Sequence, residues 1–495
     1  MAVMRLVIPN ENPSVLRLVD FQDPHGEIKE SLTYTDKAAH FQYLKAKKAT
    51  YLLSRMGPER FEAHLSELKS QIKKTLLFED SAGWYTYAGF AKYLSTKLRV
   101  PVENQVEYPA PKKLAWANPP AYTPYPFQTL SHDKLLEVKH GGVQIGTGLG
   151  KSLIIAMLCR SLGLKTIVMT PATNISEQLY ADFVQFFGKK NVGKFFDGKK
   201  ESKKQIVIAN AQSLTKVTEG TPHWEELSAT KVFIADESHQ CPASTMAAVC
   251  FGVASTAPYR FFFSATQMRN DGRDLLLDGI TGTIVYDKTV KEGVDEKYLA
   301  KPFFRTLGIK SDSDFESSDA NEMTRKHLYY NDRVVEQVGR LCNASVAAGN
   351  PVLVLIEEVE QFTRLLPYLR HPVRFAHGPL ADNREKVPKE FWESDPSELV
   401  RGFNSGEYPI LVGTSCVSTG TNIKAVKTLI YWQGGRSEIQ VKQAIGRATR
   451  LTPEKKHCSV IDFDIYNVPT LSRHFKARKA IYEELYPDYR HTVIE

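Results

Sequence analysis

Glycines, a lysine and a hydroxyl stand together in Gly146-Thr147-Gly148-Leu149-Gly150-Lys151-Ser152, the mixture that a polyphosphate needs. Glycine lets backbone N–H groups turn inward with no side chain in the way, and a helix N-terminus behind them adds partial positive charge. Gly142-Val143-Gln144-Ile145 before the run reads as a short buried strand, and Leu153-Ile154-Ile155-Ala156-Met157-Leu158 after it as an apolar helix, which is the strand-loop-helix setting of a phosphate loop. Gly146, Thr147, Gly148 and Gly150 would wrap the phosphates. Lys151 would reach the β and γ phosphates, and Ser152 would hold Mg²⁺. The general pattern has glycine where this chain has Ile145, and by itself the run also fits a plain glycine-rich turn.

Val232-Phe233-Ile234-Ala235 predicts a buried strand that ends in Asp236-Glu237-Ser238-His239, and a parallel sheet displays its functional groups at such ends. Asp236 would join the Mg²⁺ shell, and Glu237 would orient and deprotonate an attacking water. Taken alone, the pair also fits a solvated acidic turn. Far downstream, Arg447 and Arg450 in Gln443-Ala444-Ile445-Gly446-Arg447-Ala448-Thr449-Arg450 share one face if the segment is helical. Two guanidinium groups so placed would stabilise the charge of a transferring phosphoryl group as arginine fingers do. A surface helix with solvated arginines fits the same residues.

Order along the chain separates these alternatives. Ile167 to Asn174 and Ile206 to Leu214 each read as a strand leading into a turn. Phe261 to Thr266, Ile410 to Ser415 and Ser418 to Asn422 follow. In this order the chain resembles the superfamily 2 helicases and translocases, motifs I, Ia, Ib, II, III, V and VI, over roughly residues 120 to 470. Asp-Glu-Ser-His, with Gln443 opening the last motif, is similar to the DExH branch. Ala257 to Phe261, Ser264 to Gly272 and Tyr298-Leu299-Ala300-Lys301-Pro302 resemble DNA repair helicases of the XPB, RecG and phage UvsW kind. Asn210 and Asn422 stand where those families often have threonine and aspartate.

The resemblance implies an α/β fold of two tandem RecA-like parallel-sheet motor domains that share one ATP. It places Phe127 and Gln128 at the adenine, and Gly420, Asn422 and Gln443 at the nucleotide. Thr173, Gln178, Gln212, Ser213, Arg384 and Thr414 would hold strand phosphates, contacts that ignore base sequence. His239, Ser264 and Thr266 would couple hydrolysis to strand movement. The implied activity is that of an ATP-dependent DNA helicase or translocase acting on forked or branched DNA, as a monomer. A duplex translocase that never separates strands, an RNA helicase and a non-catalytic ATP-gated clamp are the alternatives; intact Lys151, Asp236, Glu237, Arg447 and Arg450 speak against the clamp.

Around these motifs, 495 residues at 42% hydrophobic content bury ample core. Prolines at 109, 111, 119, 120, 124 and 126 predict an extended linker rather than a helix. The expected division is a small α+β accessory domain over 1–110, a proline-rich linker over 111–126, a first motor domain over 121–300 and a second over 301–495, closed by a C-terminal helix. Residues 36 to 74 carry nine Lys/Arg against four Asp/Glu, with Phe41, Tyr43 and Tyr51 among them, a pattern that fits junction DNA or a solvated helical face. Net charge is +8, which suits a polyanion partner without requiring one. No apolar run spans a membrane and no secretory leader is evident, so a soluble cytoplasmic protein of a bacterial or phage-infected cell is expected. Six cysteines (Cys159, Cys241, Cys250, Cys342, Cys416 and Cys458) lack Cys-x-x-Cys spacing, which predicts no zinc site, iron-sulfur cluster or disulfide framework.

Overall fold

The computed structural model describes residues 4–120, 123–240, 243–265, 274–418, 423–452, 454–485 and 490–494. The chain packs as two compact units, Met1–Ile145 with Ser152–Asp287, and Gly146–Lys151 with Lys288–Glu495.

The first unit opens with a small sheet in the spatial order Phe78–Asp80, Gly83–Tyr87, Val15–Val19, Arg5–Ile8, Val102–Asn104. Its pairs are antiparallel except the last, Arg5–Ile8 with Val102–Asn104. Leu6, Leu16 and Leu18 are buried, with Val7 and Val15 buried beside them, while Arg5 is exposed. Three helices, Lys37–Lys48, Thr50–Met56 and Pro58–Ser70, follow in the chain, and the third packs against the other two. Asp36 caps the first by accepting from the N–H groups of Ala38 and Ala39 at 3.0 and 3.2 Å, and Pro58 starts the third. Little of them is covered: Phe41 is 68% and Tyr51 66% exposed.

A seven-stranded sheet forms the rest of this unit, in the order Val192–Phe195, Ile206–Asn210, Thr166–Thr170, Val232–Ala235, Tyr259–Ser264, His140–Ile145, Ile284–Lys288. Strands covered by helices on both faces read as continuous apolar runs, and Val232–Ala235 and Thr166–Thr170 are buried throughout. One apolar cluster joins the two sheets, running from Leu6, Leu16 and Phe90 to Met246, Leu276 and Ile280. Tyr87 stacks on Phe251 at 4.3 Å between centroids. Gly279 lies so close to Phe90 that a Cβ there would sit 2.5 Å from the ring. Residues 105–120 carry no regular element and strap the surface with main-chain hydrogen bonds, Lys112 N–H to Leu162 O, Leu114 N–H to Arg160 O and Ala117 N–H to Phe186 O.

The second unit holds another seven-stranded sheet, ordered Val373–Ala376, Ile410–Gly413, Val352–Ile356, Thr428–Trp432, His457–Ile465, Lys301–Ile309, Arg490–Ile494. Every adjacent pair is parallel. Trp432 is fully buried in its core and donates from Nε1 to Leu328 O at 3.2 Å. The helix Pro469–Leu485 packs back on the sheet through Arg478, whose guanidinium grips the Asp462 carboxylate at 2.8 and 3.1 Å and donates to Gly435 O at 2.9 Å. Tyr482 donates to the same carboxylate at 2.8 Å. Two parallel sheets with helical crossovers make this the tandem RecA-like α/β architecture with a small α+β accessory sheet. Among the described residues no helix is long and apolar enough to cross a membrane.

Candidate active site

The glycine run joins the strand His140–Ile145 to the helix Lys151–Leu162, so the helix N-terminus begins at the lysine itself. Gly148 and Gly150 adopt φ of 89° and 81°, values that side chains rarely tolerate. Ile145 is fully buried: its side chain belongs to the core rather than to the loop, which is how a bulky residue fits where glycine is usual. Lys151 and Thr147 are each 9% exposed.

Within its unit the loop is tightly seated. Gly146 N–H donates to Lys288 O at 2.8 Å, and a Cβ on Gly146 would stand 2.9 Å from Val290. On its other side lies the helix Glu438–Ala448. A Cβ on Gly148 would come within 2.9 Å of Gly446 O and 3.5 Å of Arg450 Cγ, and one on Gly446 within 2.5 Å of Thr147 Cβ. The arginine-bearing helix and the phosphate loop therefore touch backbone to backbone through glycines. Gln443 and Arg447 are buried at 7% and 5% exposure, and Arg447 Nε donates to Val417 O at 3.3 Å. Lys288 escaped the sequence reading. It stands in no recognisable motif, and only the fold reveals that its carbonyl anchors the loop.

In the first unit, Asp236 and Glu237 follow the strand Val232–Ala235. Asp236 Oδ1 accepts from Glu237 N–H at 2.9 Å, and Glu237 takes φ of 49°, a left-handed conformation that costs a non-glycine residue about 1–3 kcal/mol and concentrates at functional sites. His239 Nδ1 lies 3.5 Å from Glu237 Oε2 and 2.7 Å from Ser264 Oγ. Glu237 and Ser264 thus meet at one nitrogen of His239, a polar cluster at the end of the strand Tyr259–Ser264. Thr266 lies outside the described residues, as do Gly420 and Asn422.

Ser152 and Asp236 offer hard oxygen donors. Mg²⁺ is commonly held by one or two carboxylates with phosphate oxygens and water, not by a protein cage, and the described residues contain no cluster of three or more His, Cys, Asp or Glu. The hydroxyl of Ser152 and the carboxylate of Asp236 are the oxygen donors that would fit Mg²⁺ carried in with a nucleotide.

Gln128 is buried at 2% exposure, and its Oε1 accepts from Tyr125 N–H at 2.9 Å, closing the start of the helix Pro126–Val138. Phe127 is buried and stacks with Tyr125 at 5.9 Å.

Thr173, Gln212, Ser213 and Thr414 each lie just past the carboxyl end of a strand of their own unit. Asn210 links two of them in the first unit, donating from Nδ2 to Thr173 Oγ1 at 3.0 Å and accepting from Ser213 N–H at 2.8 Å. Gln212 is exposed beside them and Gln178 is partly exposed one turn along the helix Thr173–Phe187. In the second unit Thr414 follows the strand Ile410–Gly413, with its N–H donating to Ala376 O at 3.1 Å. Arg384 stacks its guanidinium over Trp392 at 4.3 Å.

A model of the type III restriction enzyme res subunit matches residues 122–269, and one of the helicase conserved C-terminal domain matches 334–452. The chain is 24% identical over 362 residues to a Saccharomyces cerevisiae protein named as the ATP-dependent helicase IRC3, covering 67% of this chain and 50% of that one. It is 24% identical over 342 residues to a protein named as a helicase from Escherichia phage T5, covering 68% and 70%. It is 22% identical over 353 residues to the DNA 3'-5' translocase XPB2 of Sulfurisphaera tokodaii, covering 64% and 76%. The chain thus spans half the length of the yeast relative. Among solved structures, a fragment named as the HsdR subunit of a type I restriction enzyme from Vibrio vulnificus superposes with a TM-score of 0.55 at 16% identity, covering 76% of this chain and 70% of that one. The T4 UvsW crystal structure aligns over 99% of both chains with a TM-score of 0.43 at 15% identity. Two motor models matched in their order along one chain, on two parallel sheets, make this protein a member of the superfamily 2 helicases.

Proposed function

We propose that the chain hydrolyses ATP with Mg²⁺ and uses the cycle to translocate on DNA, unwinding or remodelling forked and branched substrates. The observation that carries this reading is the contact of the phosphate loop with the arginine helix, Gly148 against Gly446 O with Arg450 Cγ alongside. Lys151 holds the β and γ phosphates, Ser152 and Asp236 hold Mg²⁺, Glu237 activates the water, and Arg447 and Arg450 offset charge on the transferring phosphoryl group. The cluster of Glu237, His239 and Ser264 supports a link between hydrolysis and strand movement. Thr173, Gln178, Gln212, Ser213, Arg384 and Thr414 grip the phosphates of the tracked strand.

Branched DNA is supported by the accessory helices. Phe41 and Tyr51 are the most exposed large aromatic residues described, and Lys37, Lys45, Lys47 and Lys48 are exposed on the same helix as Phe41; flat rings among cations offer stacking and charge to unpaired bases. DNA is favoured over RNA by the motif resemblance and by the archaeal relative named as a DNA translocase. A fork of labelled oligonucleotides tests the proposal. Strand release that requires ATP and fails with a non-hydrolysable analogue is expected, and ATP turnover indifferent to every nucleic acid overturns it.

A further inference from the structure

Lys455 is buried at 2% exposure, and among the described residues none of its hydrogen-bond partners is a carboxylate. Its ammonium group donates to three main-chain carbonyls, Lys424 O and Val426 O at 2.9 Å and Ala448 O at 3.1 Å. Ala448 is the last residue of the arginine helix Glu438–Ala448, where a cation also meets the negative end of the helix dipole. Lys424 to Val426 come just after the 419–422 stretch that contains Gly420 and Asn422. The other side of this segment is fixed too, since the N–H groups of Lys424 and Ala425 donate to Asn404 Oδ1 at 2.7 and 3.1 Å. Beyond the helix, Thr449 O accepts from Ala300 N–H at 2.6 Å. Burying an ammonium among carbonyls carries a desolvation cost, and here its return is a three-way junction between two functional segments.

We infer that Lys455 is a positioning residue that ties the last turn of the arginine helix to the segment following residues 419–422, so that Arg447 and Arg450 keep their place relative to that segment through the ATP cycle. The inference rests on the ATPase reading above, while the junction itself stands on its geometry. Lys455 acts through the helix and touches no substrate.

Burial pushes the Lys455 ammonium down to about 8; the Cys458 thiol opposes the shift, and the Arg450 and Lys427 charges reinforce it. Among the described residues these charged and titratable groups face it, from the end of the arginine helix, from the residue before the strand Thr428–Trp432 and from the strand His457–Ile465. Cys458 is itself pushed up to about 12 by burial. Between about pH 8 and 10.5 the unfolded chain binds the proton that the folded chain has released, so this lysine makes stability rise with pH over that window. The charged junction fades over the same window, so activity and stability move in opposite directions.

The test uses the full chain and DNA-stimulated ATP turnover from roughly pH 7 to pH 9.5, where ordinary lysines stay charged. Wild type should lose kcat above about pH 8, with KM for ATP steady and no matching fall in melting temperature. Lys455→Arg, which stays charged, should abolish that limb. Lys165→Arg should keep it: Lys165 is likewise lowered to about 8 by burial, yet it bonds Ser202 O and Lys204 O in the other unit. Lys455→Met should lower kcat at neutral pH about tenfold or more while KM changes less than about threefold, the pattern of a lost transition-state alignment. A flat wild-type profile, a limb that survives in Lys455→Arg, or Lys455→Met turning over like wild type overturns the inference. Should Lys455→Met fail to fold, the two arginine variants and the wild-type profile decide. A wild type that never hydrolyses ATP defeats the ATPase reading and this inference together, whereas turnover with a flat profile defeats this inference alone.

Discussion

Gly446→Ala probes the contact between the arginine helix and the phosphate loop with a single methyl group. The new Cβ would stand 2.5 Å from Thr147 Cβ, 3.0 Å from Thr147 Cγ2 and 3.0 Å from Thr147 O, whereas carbon atoms settle at about 3.5–4.0 Å. Loop and helix must therefore part by about 1 Å. Such overpacking costs about 1–3 kcal/mol, which in a transition state is a loss of roughly 5-fold to 150-fold in rate. Helix propensity works the other way, because alanine in place of glycine inside Glu438–Ala448 gains up to about 1 kcal/mol. The prediction is a split: kcat/KM for ATP falls by at least fivefold, while the melting temperature holds or falls by only a few degrees, because the propensity gain offsets part of the overpacking cost. Steady-state phosphate release and differential scanning fluorimetry on the same preparation read both numbers. Turnover within twofold of wild type would refute the idea that this contact belongs to the reacting state.

Removing the proposed base by Glu237→Gln should cost about 10²–10⁴ in kcat, the usual range for general-base loss, with nucleotide affinity nearly unchanged; single-turnover phosphate release beside equilibrium nucleotide binding would expose the error if both fell alike. Gly279→Val forces a branched side chain toward Phe90, already 2.5 Å from a Cβ at that position. A loss of about 1–3 kcal/mol is expected there, and thermal unfolding followed by tryptophan fluorescence should show a melting temperature several degrees lower. An unchanged melting temperature would mean that the accessory sheet and the motor sheet of the first unit do not share the core described above.

Buried parallel strands were the most legible part of the fold, because helices on both faces demand long apolar runs. The strands expected near 143, 167, 207, 233 and 262 form, and the equally apolar runs Val352–Ile356, Ile410–Gly413 and Thr428–Trp432 are strands as well. Lys301–Ile309 was harder to read: Pro302, Arg305 and Thr306 interrupt its apolar character, and its strand identity comes from pairing on both sides with His457–Ile465 and Arg490–Ile494. Ser311 to Glu322 reads as a loop, and most of it is one, but Asp319 accepts from Asn321 N–H and starts the short helix Ala320–Thr324, a capping signal hidden in an acidic stretch. At the site, residue types spoke for the phosphate loop and for Asp236 and Glu237. Their environments did not: Gln128 reads as an exposed glutamine by composition and is buried in a helix cap, while Lys288 and Lys455 act through carbonyl contacts that leave no trace in spacing.

The central claim is that one Mg-bound ATP is cleaved by Lys151, Glu237 and the two arginines, and that DNA drives this turnover. The direct measurement is the steady-state ATPase rate of the full chain, alone and with a fork, a plain duplex, a single strand and an RNA of equal length, beside Lys151→Ala under the same conditions. The account predicts turnover raised at least about tenfold by DNA, most by the fork, and abolished in Lys151→Ala, whose lost amine no longer reaches the phosphates. Equal rates with and without DNA, or turnover that survives Lys151→Ala, would contradict it.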